Sequence, residues 1–218
     1  KPFAAIIGGA KVSGKINVIE NLIDKVTDII IGGGMSYTFI KAQGGKIGSS
    51  LVEDNQIATA LEIIEKAKRL GVNLHIPVDT IIADSFSNEA NQDECNIVEI
   101  PEGWMGLDIG AKTIEKFQEV VTNSATILWN GPMGVFEMES FEKGTKAIAY
   151  SVVEATKKGS FSLIGGGDSV AAINKYELGE RVSYVSTGGG AMLEYLERKE
   201  LPGVVAIIQK EGFAVSDD

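Results

Sequence analysis

Short apolar runs that end in glycine restrict the possible folds of this chain more than any other feature. Five such runs are followed by turns rich in glycine, at 8–9, 32–34, 130–134, 165–169 and 187–190. The runs are apolar along most of their length instead of alternating, which is typical of strands buried on both faces. With one further run that lacks glycine, the predicted strands are 3–7, 27–31, 73–76, 126–129, 161–164 and 182–186.

Segments with the pattern of amphipathic helices lie between these runs. They are predicted at 14–26, 35–43, 54–70, 110–122, 140–158, 168–177 and 190–199. In the third of them, Ile57, Leu61, Ile64 and Lys68 are spaced to fall on one stripe with polar residues opposite.

The alternation of strands and helices predicts an α/β fold. We expect a Rossmann-like, doubly wound three-layer sandwich around a six-stranded, mainly parallel sheet. Residues 84–106 break the alternation, and we interpret them as a surface excursion or a small hairpin rather than a domain boundary. Right-handed crossovers place the carboxyl ends of all parallel strands at one edge, where open α/β sheets bind their ligands.

Charge and hydrophobicity make nucleic acid and membranes unlikely partners. The formal charge of −10 disfavours nucleic acid, and the apolar runs are much shorter than the ~20 residues that a membrane-spanning helix needs. The single cysteine, Cys95, cannot form an internal disulfide, which suits a reducing cytoplasm. We therefore expect a cytoplasmic protein that binds neither nucleic acid nor membrane.

The glycine-rich turns point to a phosphorylated ligand. Glycine lets another group approach the backbone closely, and a helix that begins after such a turn offers free N–H donors to an anion. Packing explains many single turns of this kind, but five at one sheet edge indicate a nucleotide platform. The G-x-G-x-x-G template for dinucleotides fails at its third glycine, where Tyr37, Val170 and Leu193 stand, so an NAD-linked oxidoreductase is disfavoured.

The stretch GGAKVSGK at 8–15 resembles a P-loop, but the Ser or Thr that would hold magnesium is replaced by Ile16. Lys11 and Lys15 flank the start of a predicted helix, where the positive end of the helix dipole disfavours cations. An anion bound between the two lysines would offset this repulsion. Two solvated lysines remain the alternative. Asp168 is the best-placed carboxylate for a metal, with a helix cap as its alternative role.

Six motifs carry a resemblance to a known family. GGAKVSGK, IGGGMSYTF, PEGWMGLDIG, WNGPMGVFE, GGGDS and STGGGAMLEYLE occur in this order. Together they resemble the carboxyl-terminal, nucleotide-binding half of phosphoglycerate kinase, and the likeness to a P-loop is then accidental. The resemblance covers residues 1–203, which it implies are the nucleotide-binding domain. Residues 204–218 would be a tail that returns to an amino-terminal domain for which the sequence has no counterpart. The family usually has an acidic residue where this chain has Gly14.

The resemblance implies a set of nucleotide-binding residues. They are Gly9, Lys11, Lys15, Gly33, Gly34, Leu51, Gly106, Leu107, Asn130, Pro132, Glu137, Gly166, Gly167, Asp168 and Ser169. By the same match, Gly33, Gly34, Gly106 and Leu107 would pack against the adenine, with Leu51 as a further apolar wall. The implied catalytic positions are Lys11, Gly167 and Gly190.

Individual roles follow from the same resemblance. Lys15 would bind near the α-phosphate and Lys11 would follow the transferred phosphoryl group, which the amides of Gly188, Gly189 and Gly190 would receive. Asp168 would bind Mg²⁺ together with nucleotide phosphates, and Glu137 would bind the ribose hydroxyls.

The implied activity is phosphoryl transfer between 1,3-bisphosphoglycerate and ADP, which gives 3-phosphoglycerate and ATP in glycolysis. The resemblance implies that the absent amino-terminal domain grips the glycerate substrate, so this chain alone would bind Mg-nucleotide with little or no turnover. We also expect a monomer. The competing hypothesis is a non-catalytic regulatory module that binds nucleotide.

Overall fold

A computed structural model describes residues 1–186 of the chain, and the structural statements that follow concern those residues. Its α-helices are α1 (Ile16–Leu22), α2 (Met35–Ala42), α3 (Ile57–Leu70), α4 (Ala111–Thr122), α5 (Lys143–Lys157) and α6 (Gly167–Lys175). Its strands are β1 (Phe3–Ile7), β2 (Asp28–Ile31), β3 (Lys46–Ile47), β4 (Asn73–His75), β5 (Asp79–Ala83), β6 (Gln92–Asn96), β7 (Glu99–Ile100), β8 (Met105–Ile109), β9 (Thr126–Asn130), β10 (Phe161–Ile164) and β11 (Tyr184–Val185).

Six of the strands form the main sheet. Its order is β11-β10-β9-β1-β2-β4, and every neighbouring pair is parallel. The predicted doubly wound α/β fold with a six-stranded sheet is therefore confirmed. The strand order reverses between β1 and β9, and the crevice at such a reversal is where open α/β sheets bind ligands.

Alternate residues of β1 point into two separate cores. Ile6 packs in a core with Trp129 and the helices α4, α5 and α6, whereas Ala5 and Ile7 pack with α1, α2 and α3. All three β1 side chains are fully buried. The helices thus cover both faces of the sheet, which gives the three layers that the apolar strands predict.

A second, antiparallel sheet corrects the interpretation of residues 84–106. β5 pairs with β6 across the 84–91 loop, so a hairpin does lie in this region, but β8 pairs with the other side of β5 to make three strands. The sequence did not indicate β5 or β8 as strands because each is short and includes an aspartate, Asp79 at the start of β5 and Asp108 within β8. Both aspartates are buried. The Asp79 carboxylate accepts hydrogen bonds of 2.8 Å from the amides of Lys112 and Thr113 at the start of α4.

The buried stripe of α3 also differs from the predicted one. The residues of α3 that face the core are Ala60, Ile63 and Ala67, whereas Leu61 is 41% exposed. The stripe is rotated because two small alanines, which hydrophobic spacing gives little weight, lie at the centre of the packed face. The helix ends at Leu70, as predicted, and the next residue, Gly71, caps it with a left-handed backbone.

Other boundaries shift by a few residues. α1 begins at Ile16 and has seven residues instead of the predicted 14–26, so Lys11 lies in a loop and Lys15 lies at the cap. The predicted helix at 190–199 lies outside the described residues. No helix within 1–186 has the length and apolar character needed to cross a membrane.

Candidate functional site

A cavity of about 430 Å³ opens at the carboxyl ends of β1, β2 and β9, beside β8 of the second sheet. Most of its large side chains are apolar, and the two charged ones are Glu137 and Asp168. A slot of this size with apolar walls and an acid on its rim suits a flat, partly polar small molecule. The apolar and aromatic wall residues are Tyr37, Leu51, Phe86, Met105, Leu107, Pro132, Met133 and Val135.

The structure brings nine of the residues named from the sequence together around this cavity. They are Gly9, Gly33, Gly34, Leu51, Gly106, Leu107, Pro132, Glu137 and Asp168. Six others lie outside its lining: Lys11, Lys15, Asn130, Gly166, Gly167 and Ser169. Gly188, Gly189 and Gly190 lie outside the described residues.

Three of the glycine-rich turns touch one another at the cavity. Gly33 has a left-handed backbone with φ of 69°, and a Cβ there would lie 2.6 Å from the backbone nitrogen of Gly9. The backbone of Gly131 (φ 117°) lies so close to that of Gly8 that a Cβ at Gly131 would also clash. These glycines are thus required by loop packing, and that packing brings the turns after β1, β2 and β9 to one point.

A chain of hydrogen bonds joins the lysine turn to the turn before α6. The Lys15 ammonium donates to Asn130 Oδ1, and Asn130 Nδ2 donates to the carbonyl of Gly165 at 2.8 Å. Asn130 is fully buried at the end of β9. Lys15 is therefore directed toward the strand reversal, with its ammonium group close to the turn that carries Asp168.

The loop that carries Lys11 is fixed from both sides. Val12 is fully buried in the core beside α1, and Ser13 donates both its amide (3.0 Å) and its hydroxyl (2.6 Å) to the Glu53 carboxylate. Burial would raise the pKa of Glu53, but the hydrogen bonds from Ser13 hold that pKa below its usual range. Lys11 itself is exposed at the outer side of this loop.

Asp168 and Ser169 lie in the first turn of α6 and face different environments. Asp168 is exposed and lines the cavity, whereas Ser169 is fully buried and its hydroxyl oxygen accepts a hydrogen bond from the Gly131 amide. The Ser169 side chain thus supports the turn after β9 from beneath. Among residues 1–186, no cluster of three or more His, Cys, Asp and Glu side chains could hold a metal by itself.

Behind the cavity wall, Asp108 is a buried carboxyl group with 2% exposure. It accepts hydrogen bonds from the amides of Gly144 (2.7 Å) and Ile109 (2.9 Å). Burial raises the pKa of Asp108 to about 7, although these amides and Lys143 act in the opposite direction. The carboxyl group links β8 to the start of α5 and packs against Gly134 of the cavity wall.

Sequence reasoning missed several wall residues, of which Tyr37, Phe86 and Met105 are the largest. Phe86 is 63% exposed at the mouth of the cavity. A lone large aromatic residue in the polar stretch DSFSNEA was the available signal. Tyr37 packs its hydroxyl against Gly106 and shares a 2.9 Å hydrogen bond with Thr80, a contact between distant segments that no local pattern indicates.

Comparisons with known proteins point to one family. A family model described as phosphoglycerate kinase matches residues 1–199. A phosphoglycerate kinase from Porphyromonas gingivalis is 57% identical over 207 residues, which cover 95% of this chain and 50% of that protein. A phosphoglycerate kinase of Nicotiana tabacum, named as cytosolic, is 54% identical and is covered to 52% of its length.

Solved structures give the same result. The structure of phosphoglycerate kinase from Coxiella burnetii matches with a TM-score of 0.90 and 44% identity, over 96% of this chain and 53% of that one. The chain therefore spans about half the length of the relatives it matches.

Proposed function

The chain belongs to the phosphoglycerate kinase family, and from that membership we propose that it is the carboxyl-terminal, nucleotide-binding half of such an enzyme. The observation that carries the proposal is the apolar cavity at the strand reversal, with Glu137 on its wall and Asp168 at its rim. Lys15 reaches the same edge through Asn130. These features suit a nucleoside at one end and a chain of phosphates at the other.

In this proposal the adenine lies between Leu51, Leu107 and Phe86, and the ribose hydroxyls donate to the Glu137 carboxylate. The phosphates extend toward Asp168, Lys15 and the first turn of α6. That turn offers unpaired backbone amides and a positive dipole end to the anion. The glycine at 167 leaves the approach open, since a Cβ there would meet no atom within 4 Å.

The residues present fit a magnesium ion that is bound with the nucleotide. Mg²⁺ is commonly held by one or two carboxylates together with substrate phosphates and water, and Asp168 offers one exposed carboxylate at the cavity. The ion would supply charge neutralisation for the phosphate oxygens. Asp168 would hold it at the end of the cavity that faces Lys15.

The proposed reaction passes a phosphoryl group between 1,3-bisphosphoglycerate and ADP. The attacking oxygen of ADP and the carboxylate of 3-phosphoglycerate are both ionised near neutral pH, so no general base is required. Alignment and charge neutralisation then suffice. Lys11, exposed on its loop, would follow the transferred group, and Gly167 and Gly190 would supply amides to it.

The proposal also assigns nucleotide binding and glycerate binding to different halves of the enzyme. The glycerate substrate would be gripped by the half of the family's enzymes that this chain does not match, so the chain alone should bind nucleotide but turn over little. We propose that the protein is monomeric and cytosolic. The tobacco relative is named as cytosolic, which supports the second part of this proposal.

Calorimetry with MgADP tests the nucleotide site, with two leucine variants as a matched pair. Leu51 lines the cavity and is 47% exposed, whereas Leu61 on α3 is similarly exposed and does not line it. Leu51→Ala should weaken MgADP binding by about three- to tenfold because apolar contact with the base is lost. Leu61→Ala should leave it unchanged.

A coupled assay with 1,3-bisphosphoglycerate and MgADP tests the division of labour. Negligible turnover by a chain that binds MgADP is the expected result. Absence of MgADP binding would refute the nucleotide site. Full turnover by these 218 residues would refute the need for a second half. Equal effects of Leu51→Ala and Leu61→Ala would place the nucleotide elsewhere.

A further inference from the structure

Lys175 joins the end of α6 to the loop that carries Glu137. Its ammonium donates a 2.7 Å hydrogen bond to the backbone carbonyl of Phe136, the residue directly before Glu137. The same ammonium lies 2.7 Å from Glu142 Oε2, just before α5. One cation thus connects three segments: the last residue of α6, the cavity wall, and the start of α5.

The contact with Phe136 fixes the backbone directly before Glu137. The Phe136 side chain is buried, with 5% exposure, so the loop is anchored on one side by the core. The carbonyl of Phe136 belongs to the peptide unit that leads into Glu137. Fixing that peptide plane sets the direction in which the Glu137 side chain leaves the backbone and enters the cavity.

Glu142 holds Lys175 in place and is shared with a second lysine. Lys146 lies 3.3 Å from the other carboxylate oxygen of Glu142, one turn along α5, and its ammonium lies over the Tyr176 ring. Burial would raise the pKa of Glu142, but Lys175 and Lys146 together hold it below its usual range. The carboxylate therefore stays charged near neutral pH and keeps Lys175 oriented toward Phe136.

We propose that Lys175 is a positioning residue that acts through Glu137 and thereby sets the preference of the cavity for a ribose with free hydroxyls. The proposal rests on the proposed function, because it assumes that a nucleotide occupies the cavity. It adds a residue on the far end of α6, one that does not line the cavity itself. α6 would then contribute to both ends of the nucleotide, through Asp168 at its start and Lys175 at its end.

The test compares the affinity of the 218-residue chain for MgADP and for the magnesium complex of 2′,3′-dideoxy-ADP, which lacks both ribose hydroxyls. The wild-type chain should prefer MgADP by roughly tenfold, as expected for hydrogen bonds to a charged carboxylate. Glu137→Gln should reduce this ratio. Lys175→Met should reduce it to the same degree, with less effect on the affinity for the dideoxy compound.

Matched variants separate positioning from general damage. Lys146→Met removes a lysine that also contacts Glu142 but has no bond to Phe136, and it should keep the wild-type ratio. Lys175→Arg, which can still donate to both partners, should keep most of it. In the double variant Lys175→Met/Glu137→Gln, the ratio should fall no further than in Glu137→Gln alone.

Each outcome decides between the hypotheses. If the wild-type chain fails to bind MgADP, the proposed function fails. If it binds with a ribose preference that Lys175→Met retains, only the role of Lys175 fails. Equal loss in Lys175→Met and Lys146→Met would also overturn it, since the effect would then come from the shared ion pair. Should Lys175→Met not fold, as judged by its melting curve, Lys175→Gln is measured by the same ratio, and a wild-type ratio there overturns the inference.

Discussion

At the scale of single residues, two buried carboxyl groups connect strands of the second sheet to the helices that pack beside them. Asp79 and Asp108 belong to the second sheet, and each accepts hydrogen bonds from backbone amides at the start of a helix. Such amides satisfy the carboxylate and are satisfied by it, because the first amides of a helix have no partner within the helix. The two aspartates therefore connect β5 to α4 and β8 to α5.

The two carboxyl groups nevertheless differ in their ionisation. Hydrogen bonds from Thr113 and neighbouring amides outweigh burial at Asp79 and hold its pKa below the usual range. At Asp108 burial outweighs the amides, and the pKa is raised from 3.8 to about 7. Removing charge from Asp108 therefore favours the folded state, whereas removing it from Asp79 does not.

A pH dependence of stability follows for Asp108. Between pH 4 and pH 7 the folded chain keeps a proton on Asp108 that the unfolded chain releases, so its contribution to the free energy of unfolding is largest below pH 4 and is lost as the pH rises toward 7. This loss should lower the free energy of unfolding of the wild type by about 1 to 4 kcal/mol between pH 4 and pH 7. Asp108→Asn has no ionisable group at this position, so the decrease should be absent in that variant.

Urea unfolding of both proteins at several pH values between 4 and 7.5 measures this difference. The subtraction of one curve from the other cancels the other titrating groups, including Asp79, whose pKa is shifted the opposite way. Parallel stability curves for the wild type and Asp108→Asn would show that Asp108 is already ionised in the folded chain.

At the scale of elements, loops rather than helices or strands carry most of the proposed chemistry, and contacts from elsewhere fix them. The loop with Lys11 and Lys15 is tied by Ser13 to Glu53, and the Glu53 amide donates to Thr38 of α2 at 3.1 Å. Glu53 thus connects the lysine loop to α2, whose first turn lies beside the cavity.

We predict that Glu53→Ala weakens the binding of MgADP by about three- to tenfold because the lysine loop loses two hydrogen bonds and must be ordered by the ligand. The effect should be confined to the phosphates, so the affinity for adenosine should stay close to that of the wild type.

Asp54→Ala is the matched control. Asp54 is the next residue and pairs with Lys41 at 2.7 Å, but it makes no bond to Ser13. Calorimetry of MgADP and adenosine binding to the two variants gives the comparison. An equal loss for adenosine and MgADP in Glu53→Ala would mean that the contact supports the whole cavity instead of the lysine loop.

The elements also show what could be predicted from the sequence. The central strands β1, β2 and β9 were predictable because they are buried on both faces, so their hydrophobicity alone indicates them. β5 and β8 were not, because Asp79 and Asp108 look like loop residues until their hydrogen bonds to helix amides are known. The predicted face of α3 was wrong because Ala60 and Ala67 are buried by close helix packing. Small residues permit such packing but contribute little to a hydrophobic pattern.

The residues of the candidate site likewise fall into those that the sequence could predict and those that it could not. Glycines and charged residues that follow β1, β2, β9 and β10 were placed at one edge by topology alone, since parallel strands end on one side. Phe86, Tyr37 and Met105 reach the cavity through the loop after β5, through α2 and through β8. Met105 belongs to the second sheet, Phe86 to the loop after its strand β5, and Tyr37 contacts that sheet through Thr80. No local pattern predicts where that sheet packs.

At the scale of the whole molecule, the reversal of strand order between β1 and β9 explains why one site collects so many turns. On either side of the reversal the crossovers leave in opposite directions, which opens a crevice above Asn130. The second sheet closes one side of that crevice with β8. The described part of the chain thereby forms a slot with an apolar end and an end suited to anions.

In the proposed function, this slot holds a nucleotide with its diphosphate between the lysine turn and the start of α6. A crystal structure of the chain with bound MgADP measures this directly. The diphosphate should contact residues 8–15 and 165–169, and the base should lie against Leu51 and Leu107. A diphosphate that lies away from both turns would contradict the account, even if the nucleotide binds tightly.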